Sequence, residues 1–302
     1  MTPFPYDAVI VGGGPAGLSA ALLLGRCLRR VLVCDDGRPR NAASRAMHGF
    51  LGHDGIDPAE FLQNACGQLE RYESLERRPG RVTGVEKKDG AFLVRLEDTS
   101  VVSARALLLA TGVRDQLPDL QGMERFYGRS LHHCPYCDAY EHRGQSLGVL
   151  GNSMAAADMA AELLLWSPEV TLFTCSESSL REDLRRSMDS GGVRIVYGPV
   201  SRLDGQGEKL EHVLMADGSA HRCDALFFPS RQSHQSLLAA SLGCALEEEG
   251  GAVHCGGDGG TGIEGVFVAG NLSGGVQMAA VAAAEGVKAA AALNDWLLKR
   301  KG

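Results

Sequence analysis

Residues Asp7 to Val11 form a short apolar run that opens into Gly12-Gly13-Gly14-Pro15-Ala16-Gly17, and no other stretch restricts the fold as much. An apolar run bounded in this way reads as a parallel strand buried on both faces. The turn fits G-x-G-x-x-G, and the sequence from Leu18 to Leu28 is helical, with Arg26, Arg29 and Arg30 near its end, where cations suit the helix dipole. Val31 to Val33 reads as a second strand, with Asp35 just beyond it. Strand, glycine turn, helix, strand and acid in this order are the dinucleotide-binding fingerprint in the context it requires. In such a unit Gly12 makes the turn, Gly14 admits a pyrophosphate, Gly17 lets helix and strand pack, and Asp35 takes ribose hydroxyls. A glycine turn without a ligand is the weaker reading, because the bare motif is common and the full context is not.

The pattern begins a second time. Leu147 to Leu150 reads as an apolar strand, residues 151–156 as a turn, Ala157 to Leu165 as a helix and Val170 to Phe173 as a strand. Here Ser153 stands where the fingerprint has its second glycine, and its side chain would intrude on a pyrophosphate. Between the two units lie a polar, basic loop from Gly37 to Gly55 and a helix from Asp57 or Pro58 to about Tyr72. The loop is too long for a plain connection and is expected to cover a ligand. Residues 81–86 and 91–96 alternate like a small antiparallel excursion, and Ala106 to Ala110 reads as another buried strand ending in Thr111-Gly112. After the second unit come strand signals at 193–197, 213–215 and 225–229, a glycine-rich loop from Gly250 to Gly262, a strand from Gly265 to Ala269, and a helix from about Gln277.

Between the two copies sits His132-His133-Cys134-Pro135-Tyr136-Cys137-Asp138. Two cysteines at this spacing can close and reopen a small disulfide, a two-electron switch. A helix starting at Pro135 would lower a thiol pKa through its dipole, and Asp138 could move the proton that exchange requires. Half a zinc site built from His132, Cys134, Cys137 and His142 is the competing reading, weakened because no second cysteine pair accompanies it. His132 and His133 either tune the thiols or are simply solvated.

Composition narrows the rest. The 302 residues suit one large domain or two medium ones, and a net charge of -7 argues against a nucleic-acid partner. Nine cysteines spread from Cys27 to Cys255 read as reduced thiols and not a disulfide framework, the seven outside the motif as apolar fillers. No apolar run reaches the roughly 18 residues of a membrane span. No leader-like segment precedes the first strand, so a soluble, cytoplasmic protein is expected.

The G-x-G-x-x-G, the Ala110-Thr111-Gly112 triplet, the Cys-x-x-Cys-Asp ahead of a second nucleotide-binding unit and the late Val266-Phe267-Val268-Ala269-Gly270-Asn271 occur in order. Together they resemble the low-molecular-weight thioredoxin reductase family of flavoproteins over nearly the whole chain. The resemblance implies an α/β fold with two nucleotide-binding, Rossmann-like three-layer (ββα) domains of the flavoprotein disulfide reductase type. An FAD domain would comprise residues 1–115 and 247–302. A pyridine-nucleotide-type domain, residues 116–246, would carry the redox cysteines, and the protein would be a homodimer.

For cofactor binding the resemblance implies Gly12, Gly14, Pro15, Ala16 and Gly17 at the FAD diphosphate, Asp35 at the ribose and Val82 near adenine. Ala110, Thr111 and Gly112 would pass the cofactor, Gly270 and Asn271 would meet the diphosphate and ribityl chain, and Gln277 and Met278 would approach the flavin. Asn41 and His48, in the basic loop, complete the expected set. Cys137 would face the flavin, Cys134 would exchange with substrate, and Asp138 would be the acid/base. Asn271 replaces the family's usual Asp, Val276 a common Arg and Ala139 a common Gly.

Asp138 points to reductases, since related dithiol oxidases of small natural products often carry His there, whereas the loop from Arg38 through Phe50 resembles those oxidases. Three departures argue against a pyridine-nucleotide donor: Ser153, the sequence Thr174-Cys175-Ser176-Glu177 in place of a His-Arg-Arg cluster with no cation before Arg181, and no acid at the strand end to take an NADH ribose, Glu177 coming several residues late. Electrons would then come from a donor such as ferredoxin, with a thioredoxin-like protein or a small disulfide as substrate, or would pass from a dithiol to oxygen. A flavin sensor without catalysis is the remaining alternative, and it has no use for Cys134, Cys137 and Asp138 together.

Overall fold

The computed structural model describes residues 5–174, 191–247 and 251–300. The chain splits into two compact units, one of Met1–Ala42, Gly49–Asp115 and Gln232–Gly302, the other of Ala43–His48 and Gln116–Arg231.

In the first unit, strand β1 (Tyr6–Val11) leads into helix α1 (Pro15–Arg26) and strand β2 (Val31–Asp35). Helix α2 (Pro58–Leu69) is capped by Asp57, whose carboxylate accepts from the Ala59 and Glu60 N–H groups. Strands β3 (Leu75–Pro79), β4 (Val82–Lys88), β5 (Ala91–Leu96) and β6 (Val101–Leu109) complete the order β3-β2-β1-β6-β5-β4. β1, β2, β3 and β6 run parallel, and β4 and β5 form the antiparallel excursion. Alternate residues of β1 face opposite layers, which is why it is apolar throughout. Ala8 and Ile10 pack against α1 and the C-terminal helix, while Val9 and Val11 pack on Phe92, Val94 and Leu238.

The second unit repeats the scheme. Its elements are β7 (Leu131–His132), α3 (Pro135–Asp138), β8 (Leu147–Leu150), α4 (Met154–Leu163), β9 (Val170–Thr174), β10 (Val193–Tyr197) and β11 (Ala225–Phe227). The sheet order is β10-β9-β8-β11-β7, parallel at every described pairing. Ala156, Ala157, Ala160 and Leu163 of α4 cover one face. The other is covered by an antiparallel sheet of Val200–Gln206, Lys209–Met215 and Ala220–Arg222, through Leu203, Leu210, Val213 and Met215.

The chain then returns to the first unit. Strand β12 (Val266–Val268) pairs with β6, and helix α5 (Ala279–Lys299) packs over α1. The return falls at Gln232 and not at residue 247, because Leu238, Ala239 and Cys244 share a core with Val82, Phe92 and Val268. Residues 43–48 pack with the second unit instead, where Gly128 lies so near Ala43 that a Cβ would sit 2.6 Å from the Ala43 carbonyl carbon.

Two helices begin earlier than the sequence suggests, α1 at Pro15 and not Leu18, α4 at Met154 and not Ala157. Strand β3 carries no apolar alternation, because it is an edge strand with Glu76, Arg77 and Arg78 in its middle. Among the described residues no helix is long and apolar enough to cross a membrane.

Candidate functional site

The first glycine turn is shaped by close approach. Gly12 has φ +110, and a Cβ there would lie 2.2 Å from the Ala110 carbonyl oxygen; at Gly17 a Cβ would lie 1.9 Å from that of Gly12. Gly14, the N-cap of α1, has open space where a side chain would stand. No side chain caps α1 and no acid lies in its first turn, so its leading N–H groups and positive dipole end face that space. Asp35 is the last residue of β2 and not beyond it, and its Oδ1 accepts the Gly13 N–H at 2.9 Å.

Parallel pairing brings the remaining predicted segments to the same end of the sheet. The Ala110 N–H donates to Val11 O at 2.8 Å, and the Ala269 N–H to Leu109 O at 3.0 Å. Gly270, with φ +73, passes so close to α1 that a Cβ would lie 3.0 Å from Ala16 Cβ. Its N–H donates to Glu285 Oε2 at 2.9 Å, which also accepts from Ser273. Val82 is buried at the start of β4. An open, uncapped helix start with a carboxylate beside it fits a dinucleotide diphosphate and ribose, so these residues fit FAD.

Gln277 belongs to a network that the sequence does not disclose. Arg40 makes two 2.6 Å bonds to Asp115 and donates to Gln277 Oε1 at 2.5 Å. Gln277 and Gln232 exchange amide bonds of 2.6 and 2.7 Å. Met278 is the N-cap of α5 and approaches Gly49. Asn41 adjoins Arg40. His48 packs in the second unit, 3.6 Å from Glu141.

In the second unit Cys134 and Cys137 are bonded to each other, with S–S 2.11 Å and Cα–Cα 5.3 Å, leaving neither sulfur as a metal-binding thiolate. Cys134 is the N-cap of α3, which ends after four residues and passes into a single 3-10 turn, Ala139–His142. So short a helix has little dipole to lower a thiol pKa, which corrects the expectation drawn from Pro135. Asp138 closes α3. His132 is buried, not solvated; its Nδ1 lies 3.3 Å from Asp138 Oδ1 and its Nε2 3.2 Å from His142 Nε2. His142 Nδ1 lies 3.0 Å from Gln145 Oε1. His133 meets the Tyr127 hydroxyl at 3.2 Å.

The second glycine turn differs from the first in kind. Ser153 is the N-cap of α4, and its Oγ accepts the Ala156 N–H at 3.3 Å. Asn152 Oδ1 accepts from Thr174 at 2.9 Å. Here the Ser153 side chain occupies a leading N–H of the kind that α1 leaves open. Cys175, Ser176, Glu177 and Arg181 lie outside the described residues. Burial pushes the Cys34 thiol up to about 11 and raises that of Cys223 as well, as befits apolar fillers.

The family model for pyridine nucleotide-disulphide oxidoreductases matches residues 6–286. A probable thioredoxin reductase of Arthroderma benhamiae is 36% identical over 72% of this chain and 55% of its own, so the chain spans just over half of that relative's length. Thioredoxin reductase sirT of Leptosphaeria maculans is 30% identical over 97% of this chain and 94% of its own. Among solved structures, that of HlmI superposes with TM-score 0.92 at 37% identity, covering 97% of this chain and 93% of the other. With the glycine cradle of the first unit and the paired cysteines of the second, these likenesses make the chain a member of the pyridine nucleotide-disulphide oxidoreductase family, a thioredoxin reductase-like FAD-dependent disulfide oxidoreductase.

Proposed function

We propose that this protein interconverts dithiols and disulfides through Cys134 and Cys137, with Asp138 as the acid/base, and that NADPH is a poor electron donor to it. Bound FAD supplies a two-electron carrier. Gly12, Gly14, Pro15, Ala16 and Gly17 would hold its diphosphate, Asp35 its ribose and Val82 its adenine. Ala110, Thr111, Gly112, Gly270, Asn271, Gln277 and Met278 would line the remainder, with Arg40 and Gln232 fixing the Gln277 amide. Opening the disulfide takes up two electrons and a proton to give a thiol and a thiolate; closing it returns both.

One observation carries the donor assignment: the start of α1 is open and uncapped, whereas Ser153 caps α4 from within. A diphosphate at α4 would have to displace that cap. Losing one charge-assisted hydrogen bond to a phosphate weakens binding by about 1.5–3 kcal/mol. A donor other than a pyridine nucleotide, such as ferredoxin, would then reduce the protein, and a thioredoxin-like protein or a small disulfide would be the substrate. The fungal relatives' names support that direction. A dithiol oxidase that passes electrons to oxygen is the second reading, favoured by the basic loop around Arg40. The expected setting is the cytoplasm, with the protein acting as a homodimer.

Stopped-flow mixing of the anaerobic holoprotein tests the proposal. Dithiothreitol should bleach flavin absorbance through the disulfide, and micromolar NADPH should do so only slowly. Fast bleaching by NADPH would refute the donor assignment. Full dithiol/disulfide turnover in both Cys134→Ser and Cys137→Ser would refute the disulfide's role.

A further inference from the structure

The second unit holds an open cavity of about 460 Å³, lined by His132, Asp138, His142 and Gln145 among others. From the residue next to Cys137, the contacts run Asp138 Oδ1–His132 Nδ1, His132 Nε2–His142 Nε2 and His142 Nδ1–Gln145 Oε1, each 3.0 to 3.3 Å. The chain does not stop at the acid. We infer that His132 and His142 are positioning residues forming a proton relay from Asp138 along the wall of this cavity to its Gln145 end, so that protons released or consumed in thiol–disulfide exchange are carried away from the disulfide. The inference rests on the proposed role of the Cys134–Cys137 disulfide.

The hydrogen-bond pattern holds one mobile proton. Gln145 presents its carbonyl to His142 Nδ1, so that nitrogen carries a hydrogen. In one arrangement Asp138 is protonated and donates to His132 Nδ1, and His132 Nε2–H donates to His142 Nε2. In the other Asp138 is ionised, His132 carries its hydrogen on Nδ1, and His142 is a cation with both nitrogens protonated. Two short proton shifts interconvert them, and no ring or amide turns. Burial holds the His142 pKa below the ordinary imidazole range, against the opposing hydrogen bond to Gln145, so the proton is not trapped at the cavity end.

The surroundings bear on both ends. Glu141, Glu208 and Asp224 present carboxylates to the cavity. Arg45, Arg129 and Lys209 present cations, with Arg45 and Arg129 both paired to Glu208. His48 faces Glu141. An acidic and a basic set in one cavity provide both a source and a sink for single protons.

The exchange step balances without further reactants. An incoming thiol loses its proton to Asp138 and attacks one sulfur. A bond forms between the two sulfurs, the Cys134–Cys137 bond breaks, and the electron pair stays on the leaving cysteine as a thiolate. The proton on Asp138 passes through His132 to His142 Nε2, the Nδ1–H of His142 leaves to the cavity as the Gln145 amide turns away, and the reverse path protonates the leaving sulfur.

Disulfide opening by dithiothreitol in the purified holoprotein tests this, quenched by alkylation and quantified by mass spectrometry from pH 5 to 9. At each pH the rate of His142→Gln is divided by that of the native protein, which removes dithiothreitol's own titration. General acid–base contributions suggest a loss of about tenfold or more near neutral pH, with the native low-pH inflection gone from the variant. In His142→Ala, added imidazole should restore most of the lost rate, which a merely structural role would not allow. An unchanged rate and profile in His142→Gln would overturn the relay. So would a loss in His142→Ala that is uniform with pH and indifferent to imidazole. If dithiothreitol leaves the alkylation pattern of Cys134 and Cys137 in the native protein unaltered, the disulfide reading itself fails, and the relay with it.

Discussion

Gly286 in the middle of α5 offers a test of how the cofactor cradle is held, because two effects of known sign oppose there. A Cβ at this position would lie 2.0 Å from the Ala16 carbonyl oxygen, 2.8 Å from its carbon and 2.9 Å from its Cα. All three are backbone atoms, so no rotamer change relieves the clash, and the helices must part by about an ångström to reach ordinary contact. Such overpacking costs about 1–3 kcal/mol. Against it, Ala is favoured over Gly inside a helix by about 1 kcal/mol. The clash should win, and Gly286→Ala should destabilise the first unit by up to about 2 kcal/mol. Ala16 lies within the glycine fingerprint, so the displacement should also weaken FAD binding. Gly67 in α2 is the control, with nothing within 4 Å of its would-be Cβ. Gly67→Ala should stabilise by up to about 1 kcal/mol and leave FAD binding unchanged. Thermal unfolding, with FAD affinity measured by flavin fluorescence, checks both. A Gly286→Ala protein that is more stable and binds FAD normally would refute the argument from close approach.

Other outcomes follow from the same geometry. Ser153→Gly frees the Ala156 N–H at a stability cost of only a few tenths of a kcal/mol, so NADPH affinity measured by flavin bleaching should rise; an unchanged or lower affinity would count against the cap as the obstacle. Asp35→Ala removes the acceptor for the Gly13 N–H and should lower FAD affinity by at least tenfold in fluorescence titration, with circular dichroism unchanged. Burial raises the Cys34 thiol to about 11, so the folded state holds it neutral while the unfolded thiol ionises near 9. Stability from this group is therefore complete below pH 9 and lost between about 9 and 11, and denaturant titrations of Cys34→Ala should show a flatter decline across that window. Alkylation at pH 8 should label exposed Cys27 before buried Cys34 and Cys223.

What the sequence discloses depends on whether chemistry constrains one residue or two distant ones. The glycine turns are legible because only glycine tolerates φ +110 at Gly12 or a carbonyl 1.9 Å from the would-be Cβ of Gly17. Both helix starts read three residues late for one reason: the first turn of each helix is built from the fingerprint itself, which looks like loop. Strand β3 is hidden because edge strands need no apolar face. The Arg40–Asp115–Gln277 network joins residues 75 and 237 positions apart, and no local pattern marks such partners. His132 and His142 are separated by ten residues and look individually like solvated histidines; only the turn after α3 brings their rings together.

The pairing of β12 with β6 carries a consequence for how the chain assembles as it is made. β6 lies between β1 and β5, yet its parallel partner β12 is encoded at residues 266–268, after the whole of the second unit. A chain emerging from its N-terminus therefore completes residues 116–231 while the first sheet still lacks β12, and while the face of α1 that will meet α5 is bare. Long-range pairing of this kind is slow, because the loop must be closed before any contact rewards it. The open start of α1 and the Gly270 turn meet only at that last step, so the capacity to hold FAD arrives late and all at once. Until then the apolar face of α1 stands uncovered, a surface for a chaperone to shield.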